Sequence, residues 1–306
     1  MEEMPRIKEE PQSPEIKLEQ ADTPSTSSAT PEQKFRITVQ PAAQQLKDIF
    51  KKFRPLEGKT GLNRIHQLTM ATYALKTPVD HKMKIEETID FNEIGNYWMR
   101  VLCEVARWMQ YMDEFTRLPF QDKIKILRNS WGNIHRLLSV SDTLDLFGEE
   151  ALNEYILVVG KKAVSAKTSQ FSKEVSTQAY IQNNFVKSTI NLLETLARPM
   201  FDMDTTNFEL AFLLGMTLWN FKGLSVSEEA QLAAERFRAG LAEEMHTYYV
   251  NVETHCYAPR MIRLMELVQD NELLQRERGE MWALLELFDM LNMEIDDHSL
   301  IDPRRI

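Results

Sequence analysis

Residues 91–112, FNEIGNYWMRVLCEVARWMQYM, set Ile94, Trp98, Val101, Leu102, Val105, Trp108, Met109 and Met112 at three- and four-residue intervals. That apolar face is too wide for an exposed helix of a small bundle. The segment therefore predicts a helix sandwiched in a core, with other elements packed around it. Ten glycines and 16 methionines in 306 residues lean the same way, toward a helical domain, and the length allows one sizeable core.

The chain divides near Phe35. Residues 1–34 hold five prolines and no aromatic, so they cannot bury enough apolar surface to offset ordering, and a disordered tail is expected. Within it Ile7, Lys8 and Glu10, and again Ile16, Lys17 and Glu19, form an aliphatic-Lys-x-Glu pattern suited to SUMO conjugation. Ser13-Pro14 offers a phosphate beside the first copy, and phosphate would strengthen its acidic end. Thr23-Pro24 and Thr30-Pro31 are further proline-directed candidates. Residues 35–59 read as a linker with a first helix over 41–53, where Leu46, Ile49, Phe50 and Phe53 follow a proline start. Residues 60–306 form the main domain, opening with a second helix over 61–75.

Charge and cysteine content exclude several functions. A net charge of -10 opposes a phosphate backbone, which calls for clustered Lys and Arg, so no direct nucleic-acid binding is expected. Cys103 and Cys256 are too few for a zinc module, and free thiols in a reducing compartment are expected. No apolar run approaches a membrane span, so no membrane is expected and the compartment reads as nucleus or cytoplasm. Neither His135 with Asp142 and Glu149, nor His255 beside Cys256, has the supporting base, orienter or oxyanion motif of an enzyme. No enzymatic activity and no cofactor are expected. IHRLL, residues 134–138, has the spacing of an LxxLL peptide but sits inside an expected buried helix.

The next segment, FTRLPFQDKIKILRNSW (115–131), reads as a turn at Leu118-Pro119 followed by a buried helix, with Asp122 placed to favour its N-terminus. Phe115, Leu118, Pro119, Asp122, Lys123, Ile126, Leu127 and Trp131 resemble the signature of nuclear-receptor ligand-binding domains without a gap. NIHRLLSVSDTLDLFG, which follows, resembles the nematode supplementary branch of these receptors. EYILVVGKKAVS (154–165) reads as a hairpin around Gly160, where the family has its small sheet. NFELAFLLGMTLWNFKGLS (207–225) is similar to the family's glutamate-bearing eighth helix, and Arg260, Leu264 and Leu267 to its dimerisation helix.

The resemblance implies an all-α, three-layer helical sandwich with one small β-hairpin, acting in the nucleus in transcription regulation through protein partners. The family's DNA-binding module rests on zinc-ligating cysteines that two cysteines cannot supply, so action through partners is the expectation. For the ligand pocket the family positions are Met99, Leu102, Cys103 and Ala106, then Ile134 and Leu138, then Leu284 and Phe288. The alternative is that these residues simply fill the core. Asp142 stands where acid-binding members carry an arginine.

The coregulator groove of the family is held by a lysine and a terminal glutamate that meet opposite ends of a helical peptide. Here Gln110 takes the lysine position, while Arg128 keeps the secondary basic one. The carboxyl end, MEIDDHSLIDPRRI, has Pro303 and no glutamate followed by two apolar residues, unless Glu294 belongs to a shifted, degenerate last helix. Weak binding of ordinary LxxLL peptides and a repressive output follow. Met261, Leu264, Met265 and Val268 form the expected stripe for a homo- or heterodimer. Two functions compete: a receptor domain that responds to a small apolar ligand, and a ligand-free module that dimerises or holds corepressors. Coregulators and the SUMO machinery are the further partners expected.

Overall fold

The computed structural model describes residues 35–37, 39–52, 62–76, 83–171, 178–221, 223–252, 256–287 and 293–295. The expectations for Lys8, Lys17, Ser13, Phe288 and Pro303 lie outside these residues.

A strand, β1 (Phe35–Ile37), leads into α1 (Gln40–Lys52), which buries Ala42, Leu46, Ile49 and Phe50 along one face. Helix α2 (Arg64–Tyr73) starts at Asn63, whose side chain accepts from the His66 amide at 3.1 Å and so satisfies an otherwise orphan donor. After β2 (Thr88–Ile89) comes α3 (Phe91–Met109). Its wide apolar face is buried by α1 and α5, and Asn96, Arg100 and Glu104, four residues apart, mark its narrow solvent stripe.

The turn expected at Leu118-Pro119 separates the short α4 (Asp113–Arg117) from α5 (Phe120–Phe147). The signature's polar residues tie the start of α5 to its neighbours. The Lys123 Nζ donates to the Thr116 carbonyl at 2.6 Å, the Lys125 Nζ to the Ser225 carbonyl at 2.9 Å, and the Asp122 carboxylate accepts from the Ser227 amide at 3.3 Å. Helix α6 (Glu149–Glu154) precedes the expected hairpin, β3 (Ile156–Val159) and β4 (Lys162–Ser165), paired antiparallel. At its turn Gly160 has φ +66° and lies against the Tyr97 ring, where a Cβ would come within 2.6 Å of Cε2.

Strand β5 (Gln170–Phe171) pairs parallel with β2. Helix α7 (Gln178–Leu192) runs through a π-helical turn (Leu193–Ala197) into α8 (Arg198–Asp202). Then follow α9 (Asn207–Leu218), α10 (Glu228–Asn251) and α11 (Ala258–Leu287). A final strand, β6 (Met293–Ile295), pairs parallel with β1. The two parallel pairs add to the single hairpin expected from sequence. Glu294 therefore belongs to a strand opposite Arg36, which rules out the shifted last helix as its place.

Helices α5 and α9 form the middle of the sandwich. The first packs on α3, α9, α11 and β3, and the second on α2, α5, α10 and α11. Gly215 lets α9 approach closely, since a Cβ there would meet Leu241 at 2.7 Å and Leu68 at 3.0 Å. The start of α9 is a capping box: the Thr206 hydroxyl accepts from the Glu209 amide at 3.2 Å and the Glu209 carboxylate from the Thr206 amide at 2.8 Å. That carboxylate, wholly buried, also accepts from Tyr249 of α10 at 2.6 Å and from Arg260 Nη2 of α11 at 2.7 Å. Burial alone would raise its pKa, but the bonds from Arg260, Tyr249 and Thr206 outweigh burial and lower it.

Removing the carboxylate leaves the Tyr249 hydroxyl without its acceptor and Arg260 with only the Met203 and Asp204 carbonyls. Glu209→Ala is expected to lower unfolding free energy by about 3–5 kcal/mol in urea titrations at neutral pH. Because the folded-state pKa is depressed, this contribution is present above the usual carboxylate pKa and fades as pH falls, so wild type and variant converge in acid.

Candidate ligand cavity

The middle of α5 carries polar side chains that solvent does not reach: Asn133, Arg136, Ser139, Asp142 and Thr143 are all buried. A helix in the central layer has no outer face, so its polar residues must turn to other elements or to an internal space. The Thr143 hydroxyl accepts from the Val158 amide at 2.8 Å and so pins the hairpin to α5. Arg136 and Ser139 line a cavity of about 170 Å³, and Asn133 bonds to Arg136 behind it.

Its walls come from six parts of the chain. Trp98 of α3 faces Trp282 of α11 edge-on, with ring centroids 6.3 Å apart. Trp131, Gly132, His135, Arg136 and Ser139 supply the α5 wall, and Leu157 and Val159 the hairpin wall. Phe171 of β5 meets Phe185 of α7 edge-on at 5.4 Å, and Ile181, Ser188, Thr189 and Leu192 extend the α7 side. Arg278 and Met281 complete α11. Aromatic and aliphatic surface dominates, with a few polar groups set into it, the usual make-up of a small-molecule site.

His135 is held neutral. Burial, reinforced by the charges of Arg278 and Arg136, pushes its pKa down to about 3. The Tyr97 hydroxyl lies 2.7 Å and the Ser139 hydroxyl 3.2 Å from Nε2. Both hydroxyls stand within hydrogen-bond reach of that one nitrogen, and because each can donate or accept, either neutral tautomer of the ring is accommodated. Tyr97 keeps its proton, since burial and then the Asp142 charge raise its pKa.

Arg136 is held by α11. Its Nε donates to Asn271 Oδ1 at 3.0 Å and its Nη2 to the Asn271 carbonyl at 3.3 Å and to the Asn133 side chain. Asn271 returns a bond to the Asn133 carbonyl at 3.0 Å. Burial, and then the neighbouring Arg278 charge, lower the Arg136 pKa well below its ordinary value.

The positions expected from sequence fall beside this cavity, largely one residue out of phase. Trp98 lines it where Met99 was expected, His135 where Ile134 was, and Ser139 where Leu138 was. Leu102, Cys103, Ala106, Ile134 and Leu138 are buried in the main apolar core and Met99 packs partly buried against it, so the filled-core alternative describes these six. Burial also raises the Cys103 thiol to about 11, leaving it an unreactive core residue. Leu284 is 47% exposed and lines an outer groove instead.

The other expected surfaces also shift. Gln110 is fully buried, its amide without a hydrogen-bond partner among the described residues, so it presents nothing to an outside peptide; Arg128 is half-buried. Leu264 and Val268 are buried within the monomer, and Met261 and Met265 are partly buried against the same core. That stripe therefore faces inward, and outward α11 shows Ile262 and Leu273. Among the described residues no helix is long and apolar enough to cross a membrane, and no cluster could hold a metal ion.

A three-layer helical sandwich enclosing an apolar cavity between its central helix, its hairpin and its long final helix is the architecture of a ligand-binding domain of transcription receptors. Residues 80–288 match the family described as the ligand-binding domain of nuclear hormone receptor, and the chain belongs to that family. Nuclear hormone receptor family member nhr-54 of Caenorhabditis elegans is 22% identical over 245 residues, covering 76% of this chain and 58% of its own. Family member nhr-127 of the same organism is 21% identical across 74% of this chain and 66% of its own, and nhr-133 is 25% identical across 78% and 61%. The chain thus spans about three fifths of the length of these curated relatives.

The depressed His135 pKa carries a sign. The unfolded chain takes up a proton below the ordinary value of 6.5 while the folded state refuses it until about pH 3. Stability is therefore expected to fall as pH drops from 6.5, by up to about 1.4 kcal/mol per unit from this one group. His135→Gln should flatten the decline between pH 6.5 and pH 5 in guanidinium titrations.

Proposed function

We propose that this protein is a ligand-responsive regulator of transcription, acting in the nucleus and using the cavity between α3, α5, the hairpin, α7 and α11 to sense a small, largely apolar molecule. The carrying observation is the cavity itself: an apolar space of about 170 Å³ inside a domain whose surrounding helices are otherwise close-packed. A concave, mostly apolar space that opens to a groove between α7 and α11 is suited to a small ligand that covers its walls. Membership of the receptor family supports the transcriptional role.

Native mass spectrometry of protein exposed to a lipid extract tests the reading. Wild type is expected to carry an added mass. Ser188→Phe, which fills the cavity from a half-buried position on α7, should lose it while keeping its helical circular dichroism. An unloaded wild type would leave the competing reading, a ligand-free module that docks corepressors or a second receptor. The buried Gln110 favours that alternative, because it supplies no charge for an activating peptide.

Regulation through the amino-terminal segment belongs to the same proposal. Lys8 and Lys17 each sit between an aliphatic residue and a glutamate two positions on, with Ser13-Pro14 between them. Conjugation assays are expected to show SUMO on wild type, loss in the combined Lys8→Arg and Lys17→Arg variant, and reduced modification in Ser13→Ala. Equal modification of all forms would refute the sites.

A further inference from the structure

Three buried donors at this cavity have no acceptor among the described residues. Arg136 is 3% exposed and spends Nε and Nη2 on Asn133 and Asn271, but its Nη1 has no hydrogen-bond partner. Arg278 is half-buried as a residue, yet its Nε is shut off from solvent and unpaired. The indole Nε1 of Trp282 is the third. No aspartate or glutamate is among the described residues lining the cavity. Two cations, one on the α5 wall and one on the α11 wall, thus have no counter-charge among the described lining residues, and each guanidinium holds its proton at neutral pH. Buried charge without a partner is costly, and the cost falls when an anion arrives.

We propose that the cavity takes an amphipathic monocarboxylate, its head bound between Arg136 and Arg278 and its apolar body against Trp98, Trp131 and Trp282. This rests on the ligand reading above and names its chemistry. An orphan set made only of donors calls for an acceptor, and a carboxylate satisfies two guanidinium groups and an indole at once, where a hydroxyl or ketone has weaker lone pairs to offer. Size agrees: an apolar cavity of about 150 Å³ holds benzene, so the space admits a short chain or single ring in addition to a head of few atoms. The site also differs from the family's acid-binding position at the end of the central helix, which Asp142 occupies here.

The groove between α7 and α11 gives the entry path. It shares Arg136, Asn184, Ser188, Leu192, Arg278 and Met281 with the cavity, so the arginine pair stands where the enclosed space opens outward. Of the acids along this groove, Glu194 pairs with Arg198, while Glu277 accepts from the neutral Asn191 amide and keeps its charge on the exposed face. Glu280 lies on the exposed face of α11, and Lys187 adds a positive charge on α7.

Isothermal titration and thermal unfolding of the full chain with octanoate, octanol and acetate decide the matter, in wild type and in Arg278→Met. Octanoate is expected to bind wild type and raise Tm, with octanol and acetate each about tenfold weaker or worse. Arg278→Met should weaken octanoate about tenfold or more, the loss of a charge-assisted bond, while leaving octanol unchanged and the unliganded Tm no lower. Equal binding of octanol and octanoate, or an Arg278→Met protein that binds octanoate like wild type, overturns the anion site and leaves an apolar ligand cavity. Acetate binding as tightly as octanoate overturns the apolar half. A fall in unliganded Tm with loss of both octanoate and octanol marks Arg278 as a structural residue and overturns the head assignment. Failure of every probe to bind wild type overturns this inference and the ligand reading together.

Discussion

Glu209 sits where three helices meet. The same carboxylate closes the capping box that starts α9, accepts the Tyr249 hydroxyl of α10 and pairs with Arg260 at the start of α11. A fully buried carboxylate survives only with several donors, and each donor here arrives from a different element. The arrangement fixes where α11 begins relative to the central layer. Everything further along α11 follows from that anchor, including Asn271, Arg278, Met281 and Trp282, because a helix advances rigidly at about 1.5 Å per residue. The far wall of the cavity is therefore positioned from an ion pair well outside it.

The central helix presents the complementary constraint. Surrounded along its middle, α5 cannot send the polar residues there to water, so the sequence distributes them among specific partners. Thr143 holds the hairpin, Asn133 and Arg136 engage Asn271, and His135 stays neutral between Tyr97 and Ser139. Such a network orders the core only when its members are satisfied. The exception is on the cavity side, where the donors of Arg136 and Arg278 remain open. A protein that merely filled its core would place apolar side chains at these positions at lower cost, which is why the unpaired arginines read as function.

Particular residues show how far sequence carried the reading. The broad face of residues 91–112 required a sandwiched helix, and the order Phe115 to Trp131 required a turn and a buried helix; both are present, as is the hairpin at Gly160. Side-chain direction was harder. On a helix one residue is a rotation of about 100°, so a family-based register that looks adequate along the chain can still point into the core. Met99 and Ile134 pack with the core while Trp98 and His135 border the cavity for that reason. Arg136 and Arg278 lie far apart in sequence, on two different helices, and no local pattern links them. Short parallel strand pairs escape notice for the same reason: Phe35–Ile37 and Met293–Ile295 carry almost no periodicity and are brought together only by the fold.

Sequence by itself determined the helical class, the order of the principal elements and the receptor family, because each is written in local spacing of apolar and turn residues. Only the tertiary structure decided which faces are inside. It turned the apolar stripe at Leu264 and Val268 inward, enclosed Gln110, and gathered two arginines around a space that no segment encloses alone. Local spacing reports which residues share a helical face. Whether that face meets solvent, another helix or a cavity depends on contacts between elements distant in the chain, and those exist only once the layers have packed.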